Sequence, residues 1–426
     1  MKIKKGLTYK EILEKPKKKH RKPNKPSFLL NTLIRVVSIP DLLATKFKYT
    51  SVGMEKLGKK EPCLILMNHS SFIDLKIASR ILYPRKYNIV CTSDGFIGKD
   101  WLMRNIGCIP TKKFVPELSL IKDMIYAVKK HKSSILMYPE ASYSFDGTAT
   151  PLPESLGRFA KMLELPIVII KTDGAFIRDP LYNNLQKRKV QVTAEVEYLL
   201  SPEEIKAKNP EEINALLSEK FSFDNFKSQK EKGVEITEDF RADHLNRVLY
   251  KCPHCLKEGA TEGEGVVLTC HACGKQYEML SDGSMRAISG ETEISHIPDW
   301  YAWERECVKQ EILDGNYSLD VDVDIYAMVD TECIYSVGEG RLTHNKDGFH
   351  LTGCGGELDY EQKPLASYSL YADYYWYKLG DIICIGDQSI LYYCFPKNCG
   401  DVVAKTRLAT EEMYKIAKNQ MRAVKK

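Results

Sequence analysis

The feature that most constrains the fold is a regular alternation of short apolar runs and helical patterns between residues 60 and 200. The helical patterns, SFIDLKIASRIL, ELSLIKDMIYAVKK and ESLGRFAKMLE, place apolar residues on one face. The apolar runs between them are PCLILM (62–67), YNIVCTS (87–93), SILMYP (134–139), PIVIIK (166–171) and VQVTAEV (190–196). This alternation predicts an α/β domain in which helices cover a mixed, largely parallel sheet.

Changes in composition along the 426 residues indicate further units. Beyond about residue 290 the sequence alternates, as in SLDVDVDIYAMV (318–329), or resembles hairpins, as in RLTHNKDGFHLTG (341–353). These patterns predict a C-terminal antiparallel β barrel of the pleckstrin-homology kind. We divide the chain into a basic arm (1–26), the α/β domain (27–200), a helical connector (201–250), a cysteine-rich ribbon (251–285) and a β-rich domain with a C-terminal helix (290–426). The connector is expected to start its first helix at Ser201 and Pro202.

Residues 1–26 are strongly basic, with eleven Lys or Arg against two Glu, although the whole chain has a net charge of only +5. The next segment, FLLNTLIRVVSIPDLLA (28–44), has apolar residues at helical spacing. Polar residues and a proline interrupt it, so it is unlike a membrane-spanning helix. Together the two segments predict a polybasic arm and an amphipathic helix that bind an anionic membrane surface.

Two other interpretations of this region stay open. The helix can instead pack on the protein's own core, as the amphipathic helices of globular proteins do. The basic residues can instead bind nucleic acid, but the segment lacks the interleaved aromatic side chains on which bases stack. We therefore expect no nucleic-acid partner.

Two polar residues follow the apolar run LILM at its carboxyl end. Asn68 and His69 are costly to bury without partners, and Asp74 completes the pattern Asn-His-x-x-x-x-Asp. Histidine can accept a proton from a hydroxyl group near neutral pH, and a carboxylate on its far nitrogen fixes the tautomer. If Ser71 caps a helix that begins after His69, Asp74 lies in the first turn and can reach the imidazole. We predict that His69 is a general base and that Asp74 orients it.

The same residues have a purely structural interpretation. Ser71 and Asp74 have the spacing of an acidic capping box, in which Asp74 accepts hydrogen bonds from free backbone N–H groups. His69 would then be an ordinary hydrogen-bonded loop residue. The pattern alone leaves both interpretations open.

Three further sequence blocks follow this pattern in order: IGCIPTKK (106–113), YPEASYS (138–144) and LPIVII (165–170). The four blocks together resemble the motifs of the glycerolipid acyltransferases, the family of lysophosphatidic acid acyltransferases. The resemblance extends over residues 63–171, about a quarter to a third of the chain. It implies acyl transfer from a thioester, acyl-CoA or acyl carrier protein, to the hydroxyl of a lysophospholipid such as 1-acylglycerol 3-phosphate.

The resemblance also implies roles for particular residues. His69 is implied to be the general base and Asp74 its orienting carboxylate. The second and third motifs are implied to bind the acceptor's phosphate, which requires cationic or donor groups beside the base. The substrate-binding candidates are Asn68, Gly107, Lys112, Lys113, Pro139, Glu140, Ser142 and Arg158.

The third motif departs from the family pattern Phe-Pro-Glu-Gly-Thr-Arg-Ser. This chain has Ala141, Ser142 and Tyr143 in place of Gly-Thr-Arg, and it has Lys113 where the second motif usually has Arg. Because Arg binds phosphate with a two-pronged fork that Lys and Tyr cannot reproduce, the head group of the acceptor stays open. Another lysophospholipid or a hydroxylated lipid also fits. The three cations near these motifs, Lys112, Lys113 and Arg158, have a simpler interpretation as solvated surface charges.

Two Cys-x-x-Cys pairs lie fourteen residues apart in the ribbon. CPHC contributes Cys252 and Cys255, and CHAC contributes Cys270 and Cys273. Four thiolates from two tight turns are typical of a tetrahedral zinc site, and four protein ligands leave no open coordination position. We predict a structural zinc ion, with an empty ribbon or an iron centre as the alternatives.

Two functions from different classes follow. The first is an acyltransferase of phospholipid synthesis, cytoplasmic and bound to the inner face of the cell membrane. The thirteen scattered cysteines favour such a reducing compartment. The second is a non-catalytic protein that binds lipid, or binds a protein partner through the zinc ribbon or the β domain. Asn68, His69 and Asp74 favour the enzyme, and the altered third motif favours the binding protein.

Overall fold

The computed structural model describes residues 1–16 and 19–424, so Lys17 and Lys18 of the predicted basic arm lie outside the described residues. Three sheets organise the described chain: a mixed sheet of seven strands, an antiparallel sheet of four strands and a larger sheet of eight strands. We call the seven-stranded sheet the central sheet and residues 290–424 the C-terminal region. The ribbon is residues 251–287, which include the two cysteine pairs and the four-stranded sheet.

The central sheet is parallel except for one pair of neighbours, Ile167–Asp173 and Thr193–Leu200. This confirms the mixed, largely parallel sheet. In spatial order its strands are Lys48–Val52, Thr193–Leu200, Ile167–Asp173, Leu64–Met67, Ser134–Met137, Tyr87–Thr92 and Cys108–Thr111. The two outer strands were not predicted. Lys48–Val52 is exposed along its whole length and therefore has no apolar signal, and Cys108–Thr111 is a short strand that contains a proline.

Helices cover both faces of the central sheet, which explains why its middle strand is entirely apolar. Leu64 and Leu66 point to one face, and Ile65 and Met67 point to the other, all fully buried. The helices that pack on the first face are Leu118–His131, Leu156–Leu163 and Pro210–Lys220. The helices on the second face are Phe28–Ala44, Asp74–Leu82 and Asp100–Ile106.

The predicted helical connector is helical only in its first part. It forms Pro202–Ala207, Pro210–Lys220 and Asn225–Glu231. The first helix starts where the sequence indicated, because Ser201 accepts the Glu204 N–H at 3.2 Å and Glu204 accepts the Ser201 N–H in return. Residues 232–250 contain only the short 3₁₀ turn Leu245–Arg247.

The ribbon consists of the strands Met285–Ala287, Gln276–Met279, Val267–Cys270 and Thr261–Glu264, in this spatial order. It packs between the connector and the C-terminal region. On one side Gln229 donates from Nε2 to the Ser281 carbonyl at 2.9 Å. On the other side the Trp300 indole donates to the Lys251 carbonyl at 3.0 Å.

In chain order, the C-terminal region consists of the helix Ile297–Leu313, an antiparallel sheet and the helix Val403–Val424. The two helices pack against each other. Its strand order is Leu358–Gln362, Gly348–Gly353, Ile334–Asn345, Leu319–Met328, Leu391–Pro396, Gly380–Gly386 and Tyr371–Trp376. Within Leu319–Met328, buried apolar residues alternate with polar ones over the first residues of the strand, as the sequence predicted. The first and last strands of this order do not pair among the described residues. The antiparallel character of this region is confirmed, whereas its assignment as a barrel or a pleckstrin-homology-like domain stays a prediction.

The basic segment lies against the body of the protein wherever the structure describes it. Ile3–Lys4 pairs in parallel with Ile334 and Tyr335, which makes it the eighth strand of the C-terminal sheet. Tyr9 and Ile12 are buried in the core. This segment is therefore part of the fold and not a free arm over its described length.

The helix Phe28–Ala44 has two different faces. Its N-cap is Ser27, and Leu30 and Ile34 pack against the core. Leu29, Leu33 and Val37 point outward and are 78%, 56% and 59% exposed. Among the described residues, no helix has both the length and the apolar character that are needed to cross a membrane.

Candidate active site

The candidate residues meet at the carboxyl edge of the central sheet. His69 follows its middle strand, Leu64–Met67, and Tyr138 follows the adjacent strand Ser134–Met137. Lys112 and Lys113 follow Cys108–Thr111. Because parallel strands end at the same edge, residues far apart in the sequence converge here, as in other open α/β sheets.

Asn68 joins the ends of two neighbouring strands. Its Oδ1 accepts the Thr172 N–H at 2.7 Å, and its Nδ2 donates to the Ser70 Oγ at 3.1 Å and to the Thr172 carbonyl at 3.2 Å. These bonds satisfy the buried amide. They hold the turn that leads into His69.

His69 and Asp74 are brought together as predicted, but the helix starts later than expected. The His69 Nδ1–H donates to the Asp74 Oδ2 at 2.9 Å. The helix begins at Asp74 with Ile73 as its N-cap, so Ser71, the expected cap, lies two residues earlier. The physical reason is that Asp74 Oδ2 itself accepts the N–H groups of Ser70 and Ser71, at 2.8 and 3.1 Å. Asp74 thus performs both the structural and the orienting role that the sequence left open.

This geometry leaves His69 with one free lone pair. Because the Asp74 carboxylate can only accept at Nδ1, the neutral imidazole carries its proton there and has its lone pair on Nε2. Burial lowers the pKa of His69, and the nearby Lys113 ammonium also lowers it, whereas Asp74 raises it. Since burial is the largest effect, the neutral ring that a general base requires is favoured.

Two tyrosine rings enclose the imidazole. The Tyr138 ring stacks on His69 at a centroid distance of 4.1 Å and the Tyr143 ring at 4.0 Å, with interplanar angles of 25° and 29°. Tyr143 is one of the departures from the family motif, and its position in the sequence predicted no contact with His69. The rings restrict the imidazole to one plane, and their π faces attract the imidazolium that forms when the base is protonated.

Glu140 of the third motif supports the turn that carries His69. Glu140 Oε2 accepts the His69 N–H at 2.9 Å, and Glu140 Oε1 accepts the Thr150 N–H at 3.1 Å. Burial raises the pKa of Glu140 to about 7. Ser142 is buried and donates to the Tyr143 carbonyl at 3.3 Å. Glu140 and Ser142 therefore position other residues of the site in this structure.

Gly107 also has a structural position. It ends the helix Asp100–Ile106 with a φ of 102°, a conformation that favours glycine. A Cβ at this position would lie 2.8 Å from the Pro26 Cγ. The substrate-binding candidates that do not line the cavity described next are Asn68, Gly107, Glu140 and Ser142.

A cavity of about 1540 Å³ opens beside His69 and Asp74. Its volume exceeds the roughly 300–1,000 Å³ that is usual for a small-molecule pocket. Much of its wall is apolar, as a site for a fatty acyl chain requires. Among the apolar residues are Val90, Leu120, Ile121, Met124, Phe159 and Met162.

Four of the substrate-binding candidates line the cavity: Lys112, Lys113, Pro139 and Arg158. The Lys113 ammonium lies over the Tyr371 ring, 4.1 Å from its centroid, and Lys112 donates to the Gln388 carbonyl at 2.5 Å. Both contacts reach the C-terminal region. The aromatic strand Tyr371–Trp376 of that region forms an opposite wall of the same cavity.

The four ribbon cysteines form a compact cluster. The Sγ atoms of Cys252, Cys255, Cys270 and Cys273 all lie within 4.8 Å of one another. The Cys252–Cys273 and Cys255–Cys270 sulfur distances are 3.9 and 3.7 Å. A tetrahedral metal with metal–sulfur bonds of about 2.3 Å separates its sulfurs by about 3.8 Å, so the donor set fits such an ion.

Residues 48–171 match the family model described as Acyltransferase, which confirms the family resemblance over this part of the chain. No curated protein sequence matches the chain. Eight chains of known structure match, among them the 1-acyl-sn-glycerophosphate (LPA) acyltransferase PlsC from Thermotoga maritima. This match has 14% identity and a TM-score of 0.37, and it covers 45% of this chain and 76% of that one.

Burial and the Asp74 carboxylate have opposed effects on the pKa of His69, and the larger effect of burial gives a prediction for the pH at which the imidazole titrates. We expect the imidazole to titrate below the ordinary value of about 6.5, because burial disfavours the charged ring. In Asp74→Asn the midpoint should fall further, because the carboxylate that stabilises the imidazolium is lost. The measurement is the histidine Cε1–Hε1 resonance by NMR as a function of pH, assigned with His69→Gln. A midpoint above 6.5, or a rise in Asp74→Asn, would contradict the geometry.

Proposed function

We propose that this chain, which contains an acyltransferase-family region at residues 48–171, transfers a fatty acyl group from a thioester to the hydroxyl of a lysophospholipid. The observation that supports this most is the His69–Asp74 hydrogen bond of 2.9 Å at the edge of a large, partly apolar cavity. A protein that only stores or presents lipid does not need an oriented base.

In the proposed reaction, the acceptor hydroxyl donates a hydrogen bond to His69 Nε2. The hydroxyl oxygen attacks the thioester carbonyl carbon while its proton moves to the imidazole. Asp74 and the two stacked tyrosine rings stabilise the resulting imidazolium. The tetrahedral intermediate then breaks its carbon–sulfur bond, and His69 returns the proton to the departing thiolate. The products are an ester and a free thiol.

The cavity supports particular substrate classes. Its apolar residues suit a fatty acyl chain, and its volume leaves room for the acceptor's own chain beside that of the donor. The cations Lys112, Lys113 and Arg158 on its wall suit the acceptor's phosphate. We propose acyl-CoA or acyl carrier protein as the donor and a lysophospholipid such as 1-acylglycerol 3-phosphate as the acceptor.

Removal of the base tests the proposal. His69→Ala should reduce kcat by about 10² to 10⁴, because proton transfer by a positioned base contributes about this much. Product formation would be followed by mass spectrometry with both donors and several lysolipids. The matched control is His350→Ala, which breaks a similar but exposed contact, 2.7 Å from His350 Nε2 to Asp359 Oδ1, in the C-terminal sheet. Equal losses in both variants, or no product from the unmodified protein, would favour the non-catalytic lipid- or partner-binding alternative.

We also propose that the protein binds an anionic membrane surface, on the inner face of the cell membrane. The outward face of Phe28–Ala44 is apolar, and the nearby helix Asp100–Ile106 exposes Trp101. At the cavity, Phe72 and Leu118 are both wall residues and highly exposed. The basic residues of segment 1–26 supply charge complementary to anionic lipid.

Charge substitution on the outward helix face tests membrane binding. Leu33→Glu with Val37→Glu should weaken association with phosphatidylglycerol-containing vesicles by about tenfold or more, because two apolar side chains no longer enter the lipid. Deletion of the basic segment would not be a clean test, since it removes the buried Tyr9 and Ile12. The control is Ile288→Glu with Leu313→Glu, at two similarly exposed apolar positions elsewhere. Equal flotation of both double variants would contradict the proposal.

We propose further that the four ribbon cysteines bind one structural zinc ion. The sulfur geometry fits a tetrahedral ion, and the two knuckles repeat each other. Leu256 N–H donates to the Cys252 carbonyl at 2.9 Å, and Gly274 N–H donates to the Cys270 carbonyl at 2.8 Å. Because the ribbon packs against the connector on one side and the C-terminal region on the other, the metal would stabilise the junction between them.

Metal analysis tests the zinc site. The purified protein should contain about one zinc ion per chain, and Cys255→Ser with Cys273→Ser should lose it, because two of four ligands are removed. Inductively coupled plasma mass spectrometry gives the stoichiometry, and thermal unfolding should occur at a lower temperature in the double variant. Cys399→Ser, at an exposed free cysteine outside the cluster, is the control. Iron instead of zinc, or no metal, would contradict the assignment.

A further inference from the structure

One carboxylate in the cavity wall has no role in the proposed reaction. Asp373 belongs to the strand Tyr371–Trp376 of the C-terminal region, and its residue surface is only 9% exposed. Its Oδ1 has no hydrogen-bond partner among the described residues. Burial raises the pKa of Asp373 to about 7. The carboxylate also accepts a backbone hydrogen bond from Tyr374. A buried carboxylate oxygen without a partner costs free energy, so the position of Oδ1 beside a ligand cavity calls for one.

Asp373 lies on the same side of its strand as the residue that contacts Lys113. Side chains two positions apart in a strand share a face, which places Asp373 beside Tyr371. The Lys113 ammonium lies over the Tyr371 ring at 4.1 Å and also 6.0 Å from the centroid of Tyr143, the ring that stacks on His69. Asp373 therefore belongs to the polar end of the cavity, close to the proposed base.

At the polar end of the cavity, the charges of Lys113 and Asp373 are close but do not form an ion pair. Lys113 is near enough to lower the pKa of Asp373, yet no ion pair joins the two side chains among the described residues. A ligand with an anionic group for the lysine and a hydrogen-bond donor for the carboxylate complements this arrangement. The phosphate of a lysophospholipid and a donor on its head group have this chemistry.

The sign of the local charge favours a hydroxyl over an ammonium as this donor. The Lys113 ammonium already neutralises Asp373 in part and would repel a second cation. The surrounding wall is formed by Tyr374, Tyr375, Trp376 and Tyr377. Tyr374 and Trp376 pack on Phe145 and Tyr393 within the protein, whereas Tyr377 is 39% exposed. An exposed aromatic ring of this kind can pack against the C–H groups of a polyol whose hydroxyl groups form hydrogen bonds.

The backbone of the strand Tyr371–Trp376 is irregular where it lines the cavity. The pairing of Tyr371–Trp376 with Gly380–Gly386 shifts register between Asp373 and Trp376. Tyr375 has a φ of 53°, which is uncommon for a residue with a large side chain. Such bulges redirect side chains and occur often beside active sites.

The C-terminal region is firmly attached at this wall. Tyr371 donates from its hydroxyl to Asp94 Oδ2 at 2.7 Å, and the Trp376 indole donates to the same oxygen at 3.0 Å. From the C-terminal helix, Arg407 donates to the Tyr143 carbonyl at 3.2 Å. The wall is thus held in register with the loop that carries Tyr143.

We propose that Asp373 is a specificity-determining residue, which accepts a hydrogen bond from a hydroxyl group on the head group of a lysophospholipid whose phosphate binds Lys113. The C-terminal region then forms the head-group half of the substrate site, and the α/β domain supplies the base. Within the lysophospholipid class proposed above, the preferred acceptor is then a phosphodiester with a polyhydroxyl head group, such as a phosphoglycerol, ahead of the phosphomonoester 1-acylglycerol 3-phosphate. This inference rests on the proposed acyl transfer and deepens it.

The test compares two acceptors with the same acyl chain, lysophosphatidylglycerol and lysophosphatidylcholine. The choline head group has no hydrogen-bond donor, so the ratio of their kcat/KM values reports on the contact with Asp373. We expect the unmodified protein to prefer the phosphoglycerol acceptor. Asp373→Ala should lower the ratio by about tenfold or more, as expected for the loss of a hydrogen bond to a charged group. Asp373→Asn, which keeps one carbonyl acceptor, should lower it less.

Two controls separate specificity from folding. Asp347→Asn changes an exposed turn of the same sheet and should leave the ratio unchanged. Circular dichroism and thermal unfolding would verify each variant. If Asp373→Ala does not fold, the isosteric Asp373→Asn gives the result. An unchanged ratio, or an equal loss for both acceptors, would overturn the inference.

Failure of the proposed reaction gives a different result. If the unmodified protein acylates neither acceptor with either donor, the proposed function fails, and the dissociation constants of the two lysolipids are measured by calorimetry below their critical micelle concentrations. Tighter binding of lysophosphatidylglycerol that disappears in Asp373→Ala supports the head-group site without catalysis. Equal affinities in the unmodified protein overturn it.

Discussion

The carboxylate of Asp74 is the group on which the organisation of the site depends. One oxygen accepts three hydrogen bonds, from the imidazole of His69 and from the N–H groups of Ser70 and Ser71. The same atom therefore starts a helix and fixes a ring. Because the carboxylate is almost fully buried, its charge is poorly screened by water, and these bonds are correspondingly strong. A helix that began earlier would carry His69 and Asp74 to different sides of its axis.

The second constraint is the joining of two parts of the chain around one cavity. The central sheet contributes His69 and the cations, and the C-terminal region contributes an aromatic wall with a carboxylate, Asp373, whose Oδ1 has no partner among the described residues. Asp94 connects them, because Tyr371 and Trp376 both donate to it. The ribbon packs between the connector and this C-terminal region. A change in the ribbon can therefore affect the cavity through the position of the C-terminal region.

Much of the central sheet and the contact between His69 and Asp74 could be predicted, because both leave local signals. Buried strands such as Leu64–Met67 are continuous apolar runs, and His69 and Asp74 are separated by a short interval. The polar edge strand Lys48–Val52 leaves no such signal. The contacts of Tyr138 and Tyr143 with His69 could not be predicted, since they depend on how a distant loop folds over the ring. Likewise, the strand order of the C-terminal sheet depends on pairing between strands that are far apart in the chain, such as Leu319–Met328 with Leu391–Pro396.

By itself, the sequence determined the periodicities and the local chemistry: alternating strands, capped helices, two cysteine pairs, and a histidine with a carboxylate five residues away. These follow from interactions between residues that are near each other in the chain. Only the tertiary structure decided that Glu140 supports the turn and does not line the cavity, and that Asp373 faces the same cavity as His69. Those relations join residues far apart in sequence, and they exist only once the packing of sheets and helices brings their surfaces into contact.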